Sequence, residues 1–205
     1  MRVPSDPILS CAEAGAFEKT FFAGDEAREW PAMQQAGRAV ASAVLRDFQE
    51  IGGFPEAGRL LVLVGKGHNG GDALIAAGAI LAAFPRATAE VVFAFGERRL
   101  RPLASRAWRE FQHAAGARVS VVSRRSGEAK GVRETKSYAL SLDGVFGFQF
   151  RPPLDGRTAE LLRWANALAV GVRAAVDLPS GWDAPDAFHA DFTYATGIVK
   201  SPVLD

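Results

Sequence analysis

The clearest pattern of apolar and polar positions lies in the middle of the chain, between residues 60 and 84. Five consecutive apolar residues, Leu60 to Val64, precede a polar, glycine-rich stretch from Gly65 to Asp72, and a run of Ala, Leu and Ile follows it. A short apolar run of this kind is typical of a strand that is buried on both faces of a parallel sheet. The segment therefore predicts a strand, a tight loop and a helix.

The glycines of this loop are compatible with ligand binding as well as with a turn. Glycine suits positive φ angles and lets the backbone approach a ligand closely. Free N–H groups at the start of a helix favour phosphate. The stretch matches neither dinucleotide-binding fingerprint, GxGxxG or GxxxxGK[ST]. A plain connection between a strand and a helix therefore stays open as the alternative.

The remaining pattern alternates between helices and strands. Near the N-terminus it predicts a helix over residues 12–22 with Ser10 as its cap, and a longer helix that has Pro31 in its first turn and ends near Gln49. Further strands are predicted at residues 59–64, 88–95, 118–122, 137–142, 173–176 and 190–196, and further helices at 103–115 and 158–168. This order predicts an α/β protein, a three-layer α/β/α Rossmann-like fold with a mostly parallel sheet. We expect a single domain over residues 1–205, with a helical N-terminal segment at 9–50.

Polar side chains follow three of the predicted strands. Asn69 and Asp72 follow the first, Asp143 follows the strand at 137–142, and Asp177 and Ser180 follow the strand at 173–176. In an open parallel sheet, ligands bind at the carboxyl ends of the strands, so we expect these groups to converge. Amide, carboxylate and hydroxyl oxygens suit an alkali or alkaline-earth cation rather than zinc. The alternative is that the aspartate and the serine only cap turns.

Composition narrows the classes of function. A formal net charge of +1 offers no electrostatic argument for nucleic acid or an anionic membrane. No apolar run is long enough to span a bilayer, and the N-terminus lacks a secretory signal pattern. The single cysteine, Cys11, excludes an internal disulfide and is compatible with a cytoplasmic protein. The basic stretch at 123–137 is expected to be a solvated surface loop, with phosphate or nucleic-acid binding as the alternative.

Four motifs together resemble one known family. GHNGGD at residues 67–72, DGVFGFQF at 143–150 and AVDLPSGWD at 175–183 are similar, in this order, to motifs of the NAD(P)H-hydrate epimerase family, the YjeF N-terminal domain. MQQAGRAV at 33–40 is similar to a helix-opening motif of the same family. The resemblance implies an isomerase that interconverts the C6 epimers of hydrated NADH or NADPH, and thereby repairs damaged cofactor. It also implies bound potassium and a homodimer. The kinase-like dehydratase domain of some relatives is not expected here, and the resemblance leaves open a separate dehydratase as a partner that acts on the same substrate.

The resemblance also implies roles for individual residues. The implied potassium ligands are Asn69, Asp143 and Ser180. The implied substrate-binding residues are His68, Asn69, Gly70, Gly71, Asp72, Gly147, Phe148, Gln149, Phe150, Arg151, Pro152, Pro153 and Asp177. Asp177 is the first candidate for general acid/base chemistry, because epimerisation requires proton transfer. Asp72 is the second candidate, and capping its own helix is an equally strong alternative.

Two positions depart from the family pattern. His68 replaces the first Asn of the usual G-N-N-G-G-D motif, and Gly78 replaces an Arg that commonly follows it. An imidazole does not reproduce the hydrogen-bond geometry of an amide, although it offers acid/base chemistry of its own. Lys66 is a nearby cation that would compensate for the missing Arg. These departures motivate the alternative function, a catalytically inactive domain of the same fold that binds nucleotide or RNA or acts as a scaffold.

Overall fold

A computed structural model describes residues 7–122 and 137–203 of the chain. Within these residues the α-helices are α1 (Cys11–Phe22), α2 (Glu26–Glu50), α3 (His68–Ala83), α4 (Pro102–Ala115) and α5 (Gly156–Ala167). The strands are β1 (Ile8–Leu9), β2 (Arg59–Val64), β3 (Thr88–Phe93), β4 (Val119–Val121), β5 (Tyr138–Gly144), β6 (Val170–Val176), β7 (Phe192–Tyr194) and β8 (Val199–Lys200). No helix in the described part of the chain has the length and apolar character needed to cross a membrane. The predicted basic loop lies outside the described residues, except for Ser137.

Six of the strands form one parallel sheet in the order β4-β3-β2-β5-β6-β7. The sheet grows from β2 in one direction through β3 and β4, and in the other direction through β5, β6 and β7. The register places Leu63 opposite Asp143, and Asp143 opposite Ala175. The carboxyl ends of β2, β5 and β6 therefore lie side by side at the point where the strand order reverses. This is the edge at which open α/β sheets bind ligands.

The apolar run of β2 is buried because helices cover both faces of the sheet. Leu60, Val62 and Val64 pack in the same cluster as residues of α2, α3 and α4. Leu61 and Leu63 point to the opposite face and pack with residues of α5. Successive side chains of a strand alternate between faces, so a run that is apolar at every position requires two covering layers. The three-layer α/β/α prediction is confirmed.

The sequence pattern does not anticipate β1. This strand of two residues pairs in parallel with β8, with Leu9 opposite Lys200. Two residues are too few for a period to be detected, and the partner strand comes from the other end of the described chain. The prediction of a helical segment over residues 9–50 is therefore wrong at its start, because helix begins only at Cys11.

The first two helices begin differently from each other. Ser10 caps α1 as predicted, because its hydroxyl accepts the N–H of Glu13 while the Glu13 carboxylate accepts the N–H of Ser10. α2 begins at Glu26, and the carboxylate of Asp25 caps it. The prediction that Pro31 lies in the first turn is wrong, since it lies farther inside the helix. Proline at this position costs one backbone hydrogen bond. The helix nevertheless begins at Glu26, where the Asp25 carboxylate accepts the N–H of Ala27.

α2 and α3 cross in backbone contact. A Cβ atom added at Gly37 would lie 2.6 Å from the Cβ of Ile75 and 2.8 Å from the carbonyl oxygen of Asp72. A Cβ at Gly71 would lie 2.7 Å from the Sδ of Met33. Glycine at these positions lets the helices approach closely, and the crossing determines where the first turns of α3 lie above the sheet edge.

The crossing predicts opposite effects for two helical glycines. We expect Gly37→Ala to lower the free energy of unfolding by about 1–3 kcal/mol, because the added methyl group overpacks the contact. The control is Gly15→Ala in α1, where the new Cβ would lie 3.6 Å from the Phe148 ring, an ordinary contact. That variant should be unchanged or more stable by up to about 1 kcal/mol. Urea unfolding of both variants measures the difference, and equal effects would contradict the crossing.

Candidate functional site

A cavity of about 560 Å³ lies at the carboxyl ends of β2, β5 and β6. This volume is within the usual range for small-molecule sites. The start of α3 and the segments that follow β5 and β6 form part of the wall, and α1 and α2 supply much of the rest. The polar side chains of the lining are Glu18, Lys19, Glu29, Lys66, His68, Asn69, Asp72, Arg101, Gln149, Asp177 and Thr196.

The structure brings most of the predicted site residues to this cavity. The predicted residues that line it are His68, Asn69, Asp72, Gly147, Phe148, Gln149, Phe150 and Asp177. The predicted residues outside the lining are Gly70, Gly71, Asp143, Arg151, Pro152, Pro153 and Ser180. The guanidinium group of Arg151 donates to the carbonyl oxygens of Phe148 and Phe150, at 3.3 and 2.8 Å. Of the predicted binding residues 147–153, those at 147–150 thus belong to the lining, while Arg151 binds the backbone of the same segment.

The connection between β2 and α3 is shorter than predicted, because only residues 65–67 link the strand to the helix and residues 68–72 already belong to the helix. α3 begins at His68, and Gly67 is its N-cap. The expectation of positive φ angles is wrong, since the described glycines with positive φ lie elsewhere in the chain. A Cβ at Gly70 would lie 2.3 Å from the carbonyl oxygen of Gly65, and one at Gly65 would lie 1.9 Å from the carbonyl oxygen of Val145. These two glycines are required by packing against the protein's own backbone.

Asp72 is a buried carboxyl group in the wall of the cavity. It lies past the first turn of α3, so the alternative that it caps this helix is wrong. Its Oδ1 has no hydrogen-bond partner among the described residues. Burial raises the pKa of Asp72 well above its ordinary value, and the negative charges of Asp177 and Glu18 raise it further. A buried carboxyl group with a raised pKa is suited to proton transfer.

Asp177 follows directly after β6 and has an unusual backbone conformation. Its φ angle is +70°, and its N–H donates to the carbonyl oxygen of Tyr194 at 2.8 Å. A positive φ angle in a residue other than glycine is uncommon and occurs often at functional sites. Its Oδ2 accepts the N–H of Phe148 at 2.8 Å, and its Oδ1 accepts the ammonium group of Lys200 at 2.5 Å and the hydroxyl of Thr196 at 3.4 Å. Hydrogen bonds from three residues therefore orient this carboxylate in the cavity wall.

Asp143 and Ser180 join the ends of β5 and β6 behind the cavity. Oδ1 of Asp143 accepts the Ser180 hydroxyl at 2.7 Å and the Val145 N–H at 3.1 Å, and Oδ2 accepts the Ser180 N–H at 2.7 Å. The Ser180 hydroxyl oxygen in turn accepts the N–H of Phe146 at 2.8 Å. Asn69 is linked to the same group, because its side-chain amide donates to the Phe146 carbonyl oxygen at 2.7 Å. Asp143 and Ser180 therefore stabilise the turns that follow β5 and β6.

Lys200 is a site residue that the sequence analysis missed. Its side chain is 1% exposed and binds Asp177, although it is not part of the cavity lining. The only signal in the sequence is a lysine after two apolar residues, Ile198 and Val199, shortly beyond the last strand of the main sheet. Such a short segment has no periodicity that would reveal which side chain is buried.

The two departures from the family pattern lie in different environments. His68 lines the cavity, and its Nε2 lies 3.3 Å from the Oε2 of Glu29 in α2. Gly78 lies outside the lining, and a Cβ there would lie 3.3 Å from the ring of Phe111 in α4. Lys66 and Arg101 both line the cavity, and the Arg101 N–H donates to the Lys66 carbonyl oxygen at 2.8 Å. The change at residue 68 therefore alters the candidate site directly, whereas the change at residue 78 alters helix packing.

The fold and the cavity define a class of protein, a parallel α/β domain with a small-molecule site where the strand order reverses. The family described as YjeF-related protein N-terminus matches residues 31–201. The chain belongs to this family.

Similar proteins have related names. The chain is 34% identical over 201 residues to the bifunctional NAD(P)H-hydrate repair enzyme Nnr of Gloeobacter violaceus, covering 94% of this chain and 36% of that protein. It is 37% identical over 152 residues to the NAD(P)H-hydrate epimerase of Bordetella pertussis, covering 74% of this chain and 58% of that protein. The crystal structure of yeast ynu0, YNL200c, is similar in fold, with a TM-score of 0.67 at 23% identity over 86% of this chain and 72% of that one. The chain thus spans less than two thirds of the length of these two curated relatives.

Asp143 predicts a stability that depends on pH. Burial raises its pKa from 3.8 to about 6, and hydrogen bonds from Ser180 and Val145 oppose the rise. The folded protein therefore binds this proton more tightly than the unfolded chain does. The resulting stabilisation is present at low pH and is lost as the pH rises from about 4 to above 6. Over this range we expect the free energy of unfolding of the wild type to fall by up to about 3 kcal/mol more than that of Asp143→Asn.

Urea unfolding at pH 4, 5, 6 and 7 measures this difference, with choline as the only added cation. Asp143→Asn is the control because its amide does not titrate in this range, whatever its stability. Parallel pH profiles for the two proteins would contradict the raised pKa.

Proposed function

We propose that this domain is an NAD(P)H-hydrate epimerase, which interconverts the C6 epimers of hydrated NADH or NADPH. The observation that supports this most is Asp177, a carboxylate in the cavity wall that hydrogen bonds from three residues hold in one orientation. Asp72 supplies a second carboxyl group in the same cavity. The names of the relatives favour the same activity.

The reaction needs a group that both gives and takes a proton. Inverting C6 requires either that the C6–O bond break and re-form or that the ring open and close, and both routes move a proton on and off the substrate. Asp177 is the proposed general acid/base because it lines the cavity and is held in place. Asp72 is the second candidate, because burial raises its pKa and one of its oxygens lacks a hydrogen bond among the described residues.

The basic groups of the cavity favour a dinucleotide as the substrate. Lys66, His68 and Arg101 line the cavity around the start of α3. The N-cap of this helix is Gly67, which has no side chain to bind the free N–H groups of the first turn. Basic side chains and an uncapped helix N-terminus together suit a pyrophosphate. The proposed substrate therefore places its phosphates beside these groups.

The residues at the ends of β5 and β6 fit a potassium ion, which we include in the proposal. The proposed ligands, Asn69, Asp143 and Ser180, offer only oxygen atoms to a cation, as hard metal ions prefer. The Asn69 amide donates through its nitrogen, so its oxygen points away from that bond and is available as a ligand. Bound potassium would balance the charge of Asp143, which is buried in the fold.

The epimerase proposal predicts a specific effect of one carboxylate. Purified wild-type protein should equilibrate separated (S)- and (R)-NADHX and NADPHX, as followed by chromatography of the two epimers. Asp177→Ala should lower kcat by about 100-fold or more, because it removes the acid/base group. The matched control is Asp183→Ala, which removes an exposed aspartate beyond the same strand and should keep full activity. A wild type that binds the nucleotide without changing the epimer ratio would instead indicate a scaffold or sensor domain.

The potassium proposal predicts stabilisation that depends on both the cation and the pH. At pH 7.5 and constant ionic strength, replacing choline chloride with potassium chloride should raise the melting temperature of the wild type, because a ligand of the folded state stabilises it. The rise should be smaller at pH 5, where Asp143 with a pKa of about 6 is mostly protonated. Asp143→Asn should show no such response. A stronger response to magnesium chloride would contradict the choice of potassium.

A homodimer and a separate dehydratase acting on the same substrate stay predictions from the resemblance, and a cytoplasmic location stays a prediction from composition. The name of the bifunctional relative supports a link to a second repair activity.

A further inference from the structure

Lys200 contacts the candidate site from behind the cavity wall. Its ammonium group donates to Oδ1 of Asp177 and to the carbonyl oxygen of Thr196, both at 2.5 Å. The same nitrogen lies 4.9 Å from the centre of the Phe148 ring. All three of these partners line the cavity, whereas Lys200 does not. With two hydrogen bonds and a ring contact inside the protein, Lys200 is placed to act on a substrate through its partners rather than directly.

The N-terminal segment keeps Lys200 out of water. Leu9 of β1 lies opposite Lys200 in β8. Ala14, Phe148 and Leu178 form a small buried cluster, against which Leu9, Cys11 and Val203 pack. Lys200 therefore lies beside β1 and the Phe148 ring, with only 1% of its surface exposed.

Stability alone is a poor explanation for a charge in this place. Burying an ammonium group is costly unless it is paired and hydrogen-bonded. Replacing a buried ion pair with apolar side chains of similar size is often neutral or stabilising. The surroundings of this pair are partly apolar, since the Lys200 nitrogen lies 4.9 Å from the centre of the Phe148 ring and Phe148 packs with Leu178. The ion pair with Asp177 thus calls for an explanation in the chemistry of the site.

The charge of Lys200 also acts on the other acidic groups of the cavity. Burial raises the pKa of Asp72 and of Glu18, and in both cases Lys200 opposes the rise. Asp177 is the carboxylate that it contacts directly. The buried positive charge of Lys200 therefore acts on three carboxyl groups that line one cavity.

We propose that Lys200 is a positioning residue for the reaction: by binding Oδ1 from behind the wall, it balances the charge of Asp177 and orients the carboxylate toward the substrate. This proposal rests on the epimerase function proposed above. Oδ2, the other oxygen, lies 2.5 Å from the place of a Cβ at Gly147, a residue of the lining. Glycine at 147 thus leaves space beside Oδ2, which accepts the N–H of Phe148 and is not bound by Lys200.

The test compares variants of the full chain in steady-state assays with separated NADHX epimers. We expect Lys200→Met, which keeps the length and the apolar stem, to lower kcat by about 100-fold, in the range of a lost acid/base contribution. KM should change by less than about threefold, since Lys200 does not reach the substrate. Lys200→Arg should recover part of kcat, and added methylamine should rescue Lys200→Ala with saturation. Rescue by an external amine is a result that a purely structural role would not produce.

A stability control separates the role of Lys200 from general damage. Tyr194→Phe removes the hydrogen bond from the Tyr194 hydroxyl to Asp47, at 2.6 Å, on the neighbouring strand β7. Its side chain does not line the cavity, so the melting temperature should fall while kcat stays unchanged. The proposal is overturned if Lys200→Met keeps wild-type kcat. It is also overturned if kcat falls only in proportion to the folded fraction and no amine restores it.

A measurement independent of activity distinguishes this proposal from the proposed function. The ammonium group of Lys200 should give a slowly exchanging ¹⁵N signal in nuclear magnetic resonance spectra, absent in Lys200→Arg and shifted in Asp177→Asn. If the wild type shows that signal but converts neither epimer, the epimerase function fails and the role of Lys200 in the reaction fails with it. If the wild type is active and the signal is absent or unchanged in Asp177→Asn, only the role of Lys200 is overturned.

Discussion

The buried hydrogen bonds between Asp143 and Ser180 are the interaction on which the candidate site depends. Each of the two residues follows or ends a different strand of the parallel sheet, and together they hold the ends of β5 and β6 in one arrangement. The Ser180 hydroxyl oxygen also accepts the N–H of Phe146, and Asn69 at the start of α3 binds the carbonyl oxygen of the same residue. Three segments that are distant in sequence are thus connected through a few buried polar atoms. The low dielectric of the interior makes such a network stabilising only when its members are satisfied.

Close packing of backbone against backbone is the second constraint. Gly65, Gly70 and Gly144 lie where a Cβ would meet a neighbouring carbonyl oxygen at 1.9, 2.3 and 2.7 Å, respectively. Gly37 plays the same part between α2 and α3. These contacts bring the start of α3 down onto the strand ends. The glycines of the motif therefore act first on the architecture, and through it on the position of His68, Asn69 and Asp72.

The charged groups of the cavity come from several elements that meet at the edge of the sheet. The carboxyl groups of the lining lie on α1, α2 and α3 and directly after β6, and burial penalises their ionised forms. Cationic side chains lie close to these carboxyl groups in two places, in the cavity lining and behind the cavity wall. Lys66 and Arg101 lie in the cavity lining around the start of α3, whereas Lys200 is enclosed behind the wall against Asp177. The proposed dinucleotide substrate would bring both phosphates and a reactive ring, and this division would provide separate groups for each.

The sequence alone was sufficient for the layers, the parallel sheet and the cavity residues that its motifs carry, because each rests on local information. The apolar run of β2 requires two covering layers, and the motifs place polar groups directly after strands, where parallel topology brings them to one edge. The sequence did not predict the glycine conformations, the start of α2 or the strand β1. It also did not predict the burial of Lys200 against Asp177. These features depend on what each residue meets across the fold: a carbonyl oxygen from another strand, a helix that crosses, or a partner at the far end of the described chain. Periodicity and motif spacing report which groups a segment carries, whereas only the packed tertiary structure decides which of them touch.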